Sequence, residues 1–186
     1  MIEPLTDEVS ETLENHKEWL RLVFSSSIAL TEKQRNLRGD LSGWEFEHND
    51  FSNSDLSYMN LSSTSFVNCK FIKTNLKGVW APDSYFDHCL MILTDFSNVY
   101  GKGIHFRDSQ VQHSDLSHSF WVEADFTNTE FKGVKAIGSF FQWSKVSNTK
   151  LSQDSHFEEA QRRNHNDFRG AHFSQANPSL KGHLLK

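Results

Sequence analysis

Cysteine, long apolar runs and excess positive charge are all scarce in this chain, and each shortage excludes something. Two cysteines, Cys69 and Cys89, among 186 residues are too few for a disulfide scaffold, and twenty residues apart they do not form the closely spaced cysteine pair of a zinc site. No apolar stretch approaches the roughly 20 residues of a membrane-crossing helix, so no membrane partner is expected. The N-terminus lacks a basic, then apolar, then small-residue signal pattern, and the expected location is cytoplasmic. Nineteen Lys and Arg face 24 Asp and Glu, a net charge of −5, without the basic footprint of a protein that binds nucleic acid directly. Phosphate-cradling glycine loops, zinc cysteine pairs and nucleophile elbows are missing too.

What the chain does have is a register. Every fifth residue from Leu41 to Leu151 is apolar, with Gly101 the one exception among 23 positions, although only 37% of the chain is hydrophobic. Helices repeat every 3.6 residues and strands every 2, so neither accounts for a strict five. A five-residue unit cannot bury its own apolar side chain. It must stack on copies of itself.

Residues before the register follow another pattern. Leu5, Val9, Leu13, His16, Leu20, Val23 and Phe24 recur at three- and four-residue intervals, which predicts an amphipathic helix from about Asp7 to Phe24. Thr6 or Asp7 is its expected cap, and Asp7, Glu8 and Glu11 suit the positive end of its dipole. Residues 28–38 read as a connector. After Leu151 the phase slips, because Phe157 follows by six residues, and a new phase appears at Phe168 and Phe173.

Asn75-Leu76-Lys77-Gly78, Ala124-Asp125-Phe126-Thr127-Asn128 and Ala171-His172-Phe173-Ser174-Gln175-Ala176-Asn177 resemble the pentapeptide-repeat family, whose motif is roughly Ala-(Asp/Asn)-(Leu/Phe)-X-X. His16-Lys17-Glu18-Trp19-Leu20 is similar to a helical segment that often precedes such repeats. The resemblance implies an all-β solenoid, a right-handed quadrilateral β-helix with one pentad per side and four per coil, carrying an N-terminal α-helix. Many pentads depart from the motif by placing Ser, Thr or Val where the family favours Ala. The expected organisation is 1–38 as the helix and connector capping or flanking the solenoid, 39–178 as the β-helix with an irregular excursion near 153–165, and 179–186 as a tail.

With four pentads per coil, residues 20 apart stack at about the 4.8 Å spacing of neighbouring strands. One column then reads Phe46, Phe66, Phe86, Phe106 and Phe126, an expected core ladder. This sorting by residue type supports four-sided closure on its own. Cys69 and Cys89 share a small inward column with Ser109, Thr129 and Thr149; they read as fillers, with an inter-coil disulfide or redox sensor as the alternatives. On the fourth side, the outward position reads Asp40, Asn60, Trp80, Tyr100, Phe120 and Phe140, with Trp143 nearby. Contiguous exposed apolar surface marks interaction sites. Cover by the chain's own segments, a homodimer and another protein partner all remain open.

Asp55, Asp95 and Asp115 share one outward column, interrupted by Asn75 and ended by Lys135. It reads either as a solvated face that deters edge association or as a mimic of DNA phosphates. The family resemblance makes DNA gyrase the partner in the second case, since some members protect type II topoisomerases from quinolones or toxins. His113 and His118 flank Asp115, but residues five apart lie on adjacent sides of a coil and converge on no pocket. His156, His165 and His172 cluster only in sequence. No catalytic residue, metal site or cofactor is expected. The expected function is a non-catalytic scaffold whose rigid rod presents surface for protein–protein interaction.

Overall fold

A computed structural model describes residues 2–25, 29–152 and 154–155. An N-terminal helix, α1 (Asp7–Ser25), and a single turn of helix, α2 (Glu32–Arg35), precede eight short strands: β1 (Glu45–Glu47), β2 (Ser65–Val67), β3 (Lys70–Ile72), β4 (Tyr85–Asp87), β5 (Leu90–Ile92), β6 (Gln110–Gln112), β7 (Glu130–Lys132) and β8 (Lys150–Leu151). All pair in parallel, as β1-β2-β4 and β3-β5-β6-β7-β8. Each register step is 20 residues: Phe46 faces Phe66, which faces Phe86, and Phe71 faces Met91, then Val111, Phe131 and Leu151. Single bridges mark the other two sides, running Asp55, Asn75, Asp95, Asp115, Lys135 and Asp40, Asn60, Trp80, Tyr100, Phe120, Phe140. The result is a right-handed four-sided β-helix of about five turns.

Corners close the coil, and a single backbone state makes them. The residue two after each central apolar position, from Gly43 to Asn148, has a φ between 50° and 74° without exception. Only five of these 22 corners are glycine. Left-handed backbone is worst for β-branched residues, and the non-glycine corners are His, Asn, Tyr, Ser, Lys, Asp, Leu, Glu and Trp, never Val, Ile or Thr.

The interior is filled with buried rings. Phe46, Phe66, Phe86, Phe106 and Phe126 stack with centroids 4.8–5.4 Å apart, and Phe51 and Phe71 meet their neighbours edge to face at 5.1–5.3 Å. Full burial of each ring contributes about 1.5–3 kcal/mol. Beside the rings, a second inward column satisfies the backbone. Cys69, Cys89, Ser109, Thr129 and Thr149 donate to the carbonyls of Phe46, Phe66, Phe86, Phe106 and Phe126, each 23 residues earlier, at 3.4–3.6 Å for the thiols and 2.7 Å for the hydroxyls. Polar residues at these positions are therefore not defects. They supply bonds that Ala would leave unmade.

The first coil is covered from the N-terminal side. Glu3 donates its N–H to His48 O at 3.0 Å and bridges Asn49 in parallel, so residue 3 adds one more rung. Val9 of α1 is buried in the core, with Leu5 and Leu13 packed against it. Thr6 caps α1 by accepting from Val9 N–H at 3.3 Å. The connector expected over 28–38 contains α2, fixed by a capping box in which the Thr31 hydroxyl accepts from Gln34 N–H and the Gln34 side chain accepts from Thr31 N–H. Thr31-Glu32-Lys33-Gln34 carries that signature, but no apolar run follows it to draw attention. The phase slip at Phe157, the excursion near 153–165 and the tail fall, apart from Asp154 and Ser155, outside the described residues.

Candidate functional site

On the fourth side the residue before each central apolar position points outward because neighbouring residues of an extended segment alternate faces. Coil closure then sets these residues one above another. Trp80 and Tyr100 stack 4.1 Å apart at 4°, Tyr100 and Phe120 5.2 Å apart at 4°, and Phe120 and Phe140 6.1 Å apart at 45°. Trp80 is 47% exposed and Phe140 44%, with Tyr100 and Phe120 half-buried between them. Trp143, 57% exposed, stands at the corner of the same side. Pro82, on the same side, is half-buried. Helix α1 lies elsewhere: its His16 bonds Ser57 and Gly39, and its Phe24 meets Tyr58, one coil before the stripe begins.

Asp55, Asp95 and Asp115 stand in one row on the third side, but each carboxylate has local work. Oδ1 accepts the N–H two residues on, from Ser57, Ser97 and Ser117 at 3.0, 2.8 and 2.9 Å, and Asn75 does the same for Lys77 at 3.1 Å. These are Asx turns, which open the corner that follows. Asp40, Asp50 and Asp125 repeat the arrangement elsewhere. Partial burial pushes the Asp125 carboxyl up, but bonds from Thr127 and the charge of Lys145 outweigh it and hold the group below its ordinary range.

Cys69 and Cys89 are buried and free. Burial drives the Cys89 thiol well up, while its contact with Cys89 pulls the Cys69 thiol down. His113 and His118 occupy successive exposed corners, and Ser114 and Ser117 spend their hydroxyls on backbone of Gln112 and Ile137. His156, His165 and His172 lie outside the described residues. Among the described residues, no group of three or more His, Cys, Asp or Glu is placed to hold a metal ion. No helix among them is long and apolar enough to cross a membrane.

Sequence reasoning placed the stripe and the acidic row, but it missed that the row's carboxylates cap corners. The signal was present: Ser, Lys or Thr follows two residues after nearly every outward Asp or Asn.

Among solved structures, the chain is similar to a trypsin-treated form of QnrB1, a plasmid-mediated fluoroquinolone resistance protein, at 18% identity over 77% of this chain and 89% of that one, with a TM-score of 0.43. It is similar to a pentapeptide repeat protein from the Arabidopsis thaliana thylakoid lumen at 17% identity over 62% and 70%, TM-score 0.41. It is also similar to HetL, involved in heterocyst differentiation regulation in Nostoc sp. strain PCC 7120, at 14% identity over 75% and 78%, TM-score 0.36. No curated protein matches the chain. The family model for pentapeptide repeats matches eight copies at residues 45–81 and 104–142. Between those blocks the coils continue through Tyr85, Leu90 and Asp95 in unbroken 20-residue register, and the chain belongs to the pentapeptide-repeat family.

Proposed function

We propose that this protein is a non-catalytic cytoplasmic scaffold whose fourth side docks a protein partner. The observation that carries this reading is the outward stack of Trp80, Tyr100, Phe120 and Phe140. Rings held against one another have already lost their rotamer freedom, so a partner that covers them pays little ordering entropy. Aromatic anchors of this kind dominate interface energetics. The test is Trp80→Ser combined with Phe120→Ser. Pull-down from the native host should lose its captured protein, or light scattering should show a smaller particle if the partner is a second copy. Unchanged capture and unchanged size would overturn the reading.

The acidic row carries a second reading: a rod that binds DNA gyrase in place of DNA and protects it from quinolones or toxins. Lys70, Lys73, Lys77, Lys102, Arg107, Lys132 and Lys135 are interspersed among its acids, which favours the first reading. Gyrase supercoiling with and without a quinolone decides it. No effect of micromolar protein would remove this second reading.

A further inference from the structure

The first coil has no coil before it, and its four sides meet that end differently. On the second side Glu3 supplies a rung, with its N–H on His48 O. On the third and fourth, His16 bonds Ser57 O and the Gly39 N–H, and Arg38 Nε donates to Tyr58 O at the corner between them. On the side of the phenylalanine ladder, β1 pairs with β2 alone and is the edge of its sheet. In later coils on this side, the residue before the central Phe joins the preceding coil through both backbone groups. His105 donates its N–H to Ser84 O at 2.9 Å and accepts Phe86 N–H at 2.8 Å; Asp125 does the same with Ile104 O and Phe106 N–H, each at 2.8 Å. Glu45 holds that place in the first coil, so its N–H and C=O face away from β2.

A cavity of about 460 Å³ opens at this edge, within the range of binding sites, roughly 300–1,000 Å³. Its apolar wall is Leu5 and Val9 from the N-terminal segment with Trp44 and Phe46 from the first coil. Trp44 stacks on Phe46 with centroids 6.0 Å apart at 12°. Its charged wall is Glu3, Glu45 and Glu47, and among the described residues no Lys, Arg or His lines it. Glu45 and Glu47 are the exposed neighbours of buried Phe46 in β1. Like charges one rung apart repel, so the same edge of a second copy, which carries the same glutamates, is disfavoured here.

We propose that this edge binds an extended segment of another protein with the pattern basic–apolar–basic, added as one more parallel strand on β1. A strand in the solenoid's own register takes the Glu45 N–H on a carbonyl and gives Glu45 C=O the N–H of its central residue. Strand addition draws affinity from such main-chain bonds and specificity from alternate side chains. The central apolar side chain enters the cavity against Trp44 and Phe46. Its two neighbours stand about 4.8 Å from Glu45 and Glu47, where Lys or Arg is favourable and Asp or Glu is not. This site lies on another side and another coil from the aromatic stripe, so the inference does not depend on the stripe having a partner.

The test titrates the blocked pentapeptide Gly-Lys-Val-Lys-Gly into the full-length protein and follows the Trp44 indole N–H resonance, assigned by its absence in Trp44→Phe. A saturable shift is expected, with Gly-Glu-Val-Glu-Gly binding about 10-fold more weakly or worse. N-methylation of the central Val removes the N–H that reaches Glu45 O and should weaken binding several-fold. Glu45→Lys combined with Glu47→Lys, both at exposed positions, should keep the melting temperature and reverse the preference between the two peptides. No saturable shift at about 5 mM peptide, equal binding of the two peptides, binding undiminished by N-methylation, or a preference that the double variant fails to reverse would each overturn the proposal.

Discussion

The imidazole of His16 donates through Nε2 to the carbonyl of Ser57 at 2.8 Å, while its Nδ1 accepts the Gly39 N–H at 3.0 Å. One buried side chain thus joins α1 to two separate backbone segments, and only the neutral ring protonated on Nε2 can make both bonds. Burial lowers the His16 pKa, against the opposing pull of Ser57 and Asp55 and with the help of Arg38. A depressed histidine contributes stability that is present in full above its unfolded value, about 6.5, and is lost as pH falls from there toward the folded value.

Melting temperature should therefore hold steady above about pH 6.5 and decline below it. His105, also lowered by burial and by Arg107, adds to the decline, so His16→Gln isolates the share of the cap. That variant should lose part of the acid sensitivity. His16→Ala leaves two buried backbone groups unpaired and should cost about 2–4 kcal/mol at neutral pH. An identical pH profile for wild type and His16→Gln would show that the cap does not titrate.

Gly101, the one break in the apolar series, is a packing partner rather than a gap. A Cβ built on it would lie 2.9 Å from the Trp121 ring and 3.2 Å from Ile104, because the indole of the next coil fills the room glycine leaves. Trp121 is fully buried and its Nε1 donates to Leu116 O at 3.3 Å. Gly101→Ala should destabilise by about 1–3 kcal/mol through overpacking. Combined with Trp121→Leu, the same change should cost less than it does alone, a positive coupling readable by denaturant titration in a double-mutant cycle. Additive effects would refute the contact.

Much of the fold was legible because one column of side chains reports one geometric constraint. Phe46, Phe66 and Phe86 could be assigned to a single stack by counting to 20, since a coil of four equal sides has no loops to disturb the count. Trp80, Tyr100, Phe120 and Phe140 were legible as outward for the same reason. What stayed hidden was hydrogen bonding. Cys69 becomes a donor for Phe46 O because the coil's pitch brings together residues 23 apart, which residue type does not announce, whereas the Asp95 corner cap is a local contact with Ser97 N–H whose two-residue spacing stood in the sequence. Helix α2 was hidden for another reason: its four residues, held by Thr31, bury nothing and so leave no periodic trace.

Leu93 is an aliphatic residue at a left-handed corner. Its φ is 55° and its side chain is 52% exposed, so it accepts left-handed backbone without burial in return. Leu93→Asn should be neutral or stabilise by a few tenths of a kcal/mol, and Leu93→Val should cost about 1–2 kcal/mol. Equal melting temperatures for the two variants would mean that the corner relaxes freely. Because Leu93 lies off the aromatic stripe, neither variant should alter partner capture.

The thiol column gives the last prediction. Sulfur is a weak donor, and Cys69 and Cys89 reach Phe46 O and Phe66 O at 3.6 and 3.4 Å, where Ser109 reaches Phe86 O at 2.7 Å. Cys89→Ser should therefore be tolerated, changing stability by less than about 1 kcal/mol, because a stronger bond offsets the smaller side chain. Ser109→Ala removes the donor, and its hydroxyl also accepts from Cys89 N–H at 2.9 Å; it should cost about 1–3 kcal/mol. If the column acts only as inert filling, Ala at 109 would be as stable as Ser. Denaturant midpoints of the two variants under reducing conditions separate a column that satisfies backbone from one that merely occupies space.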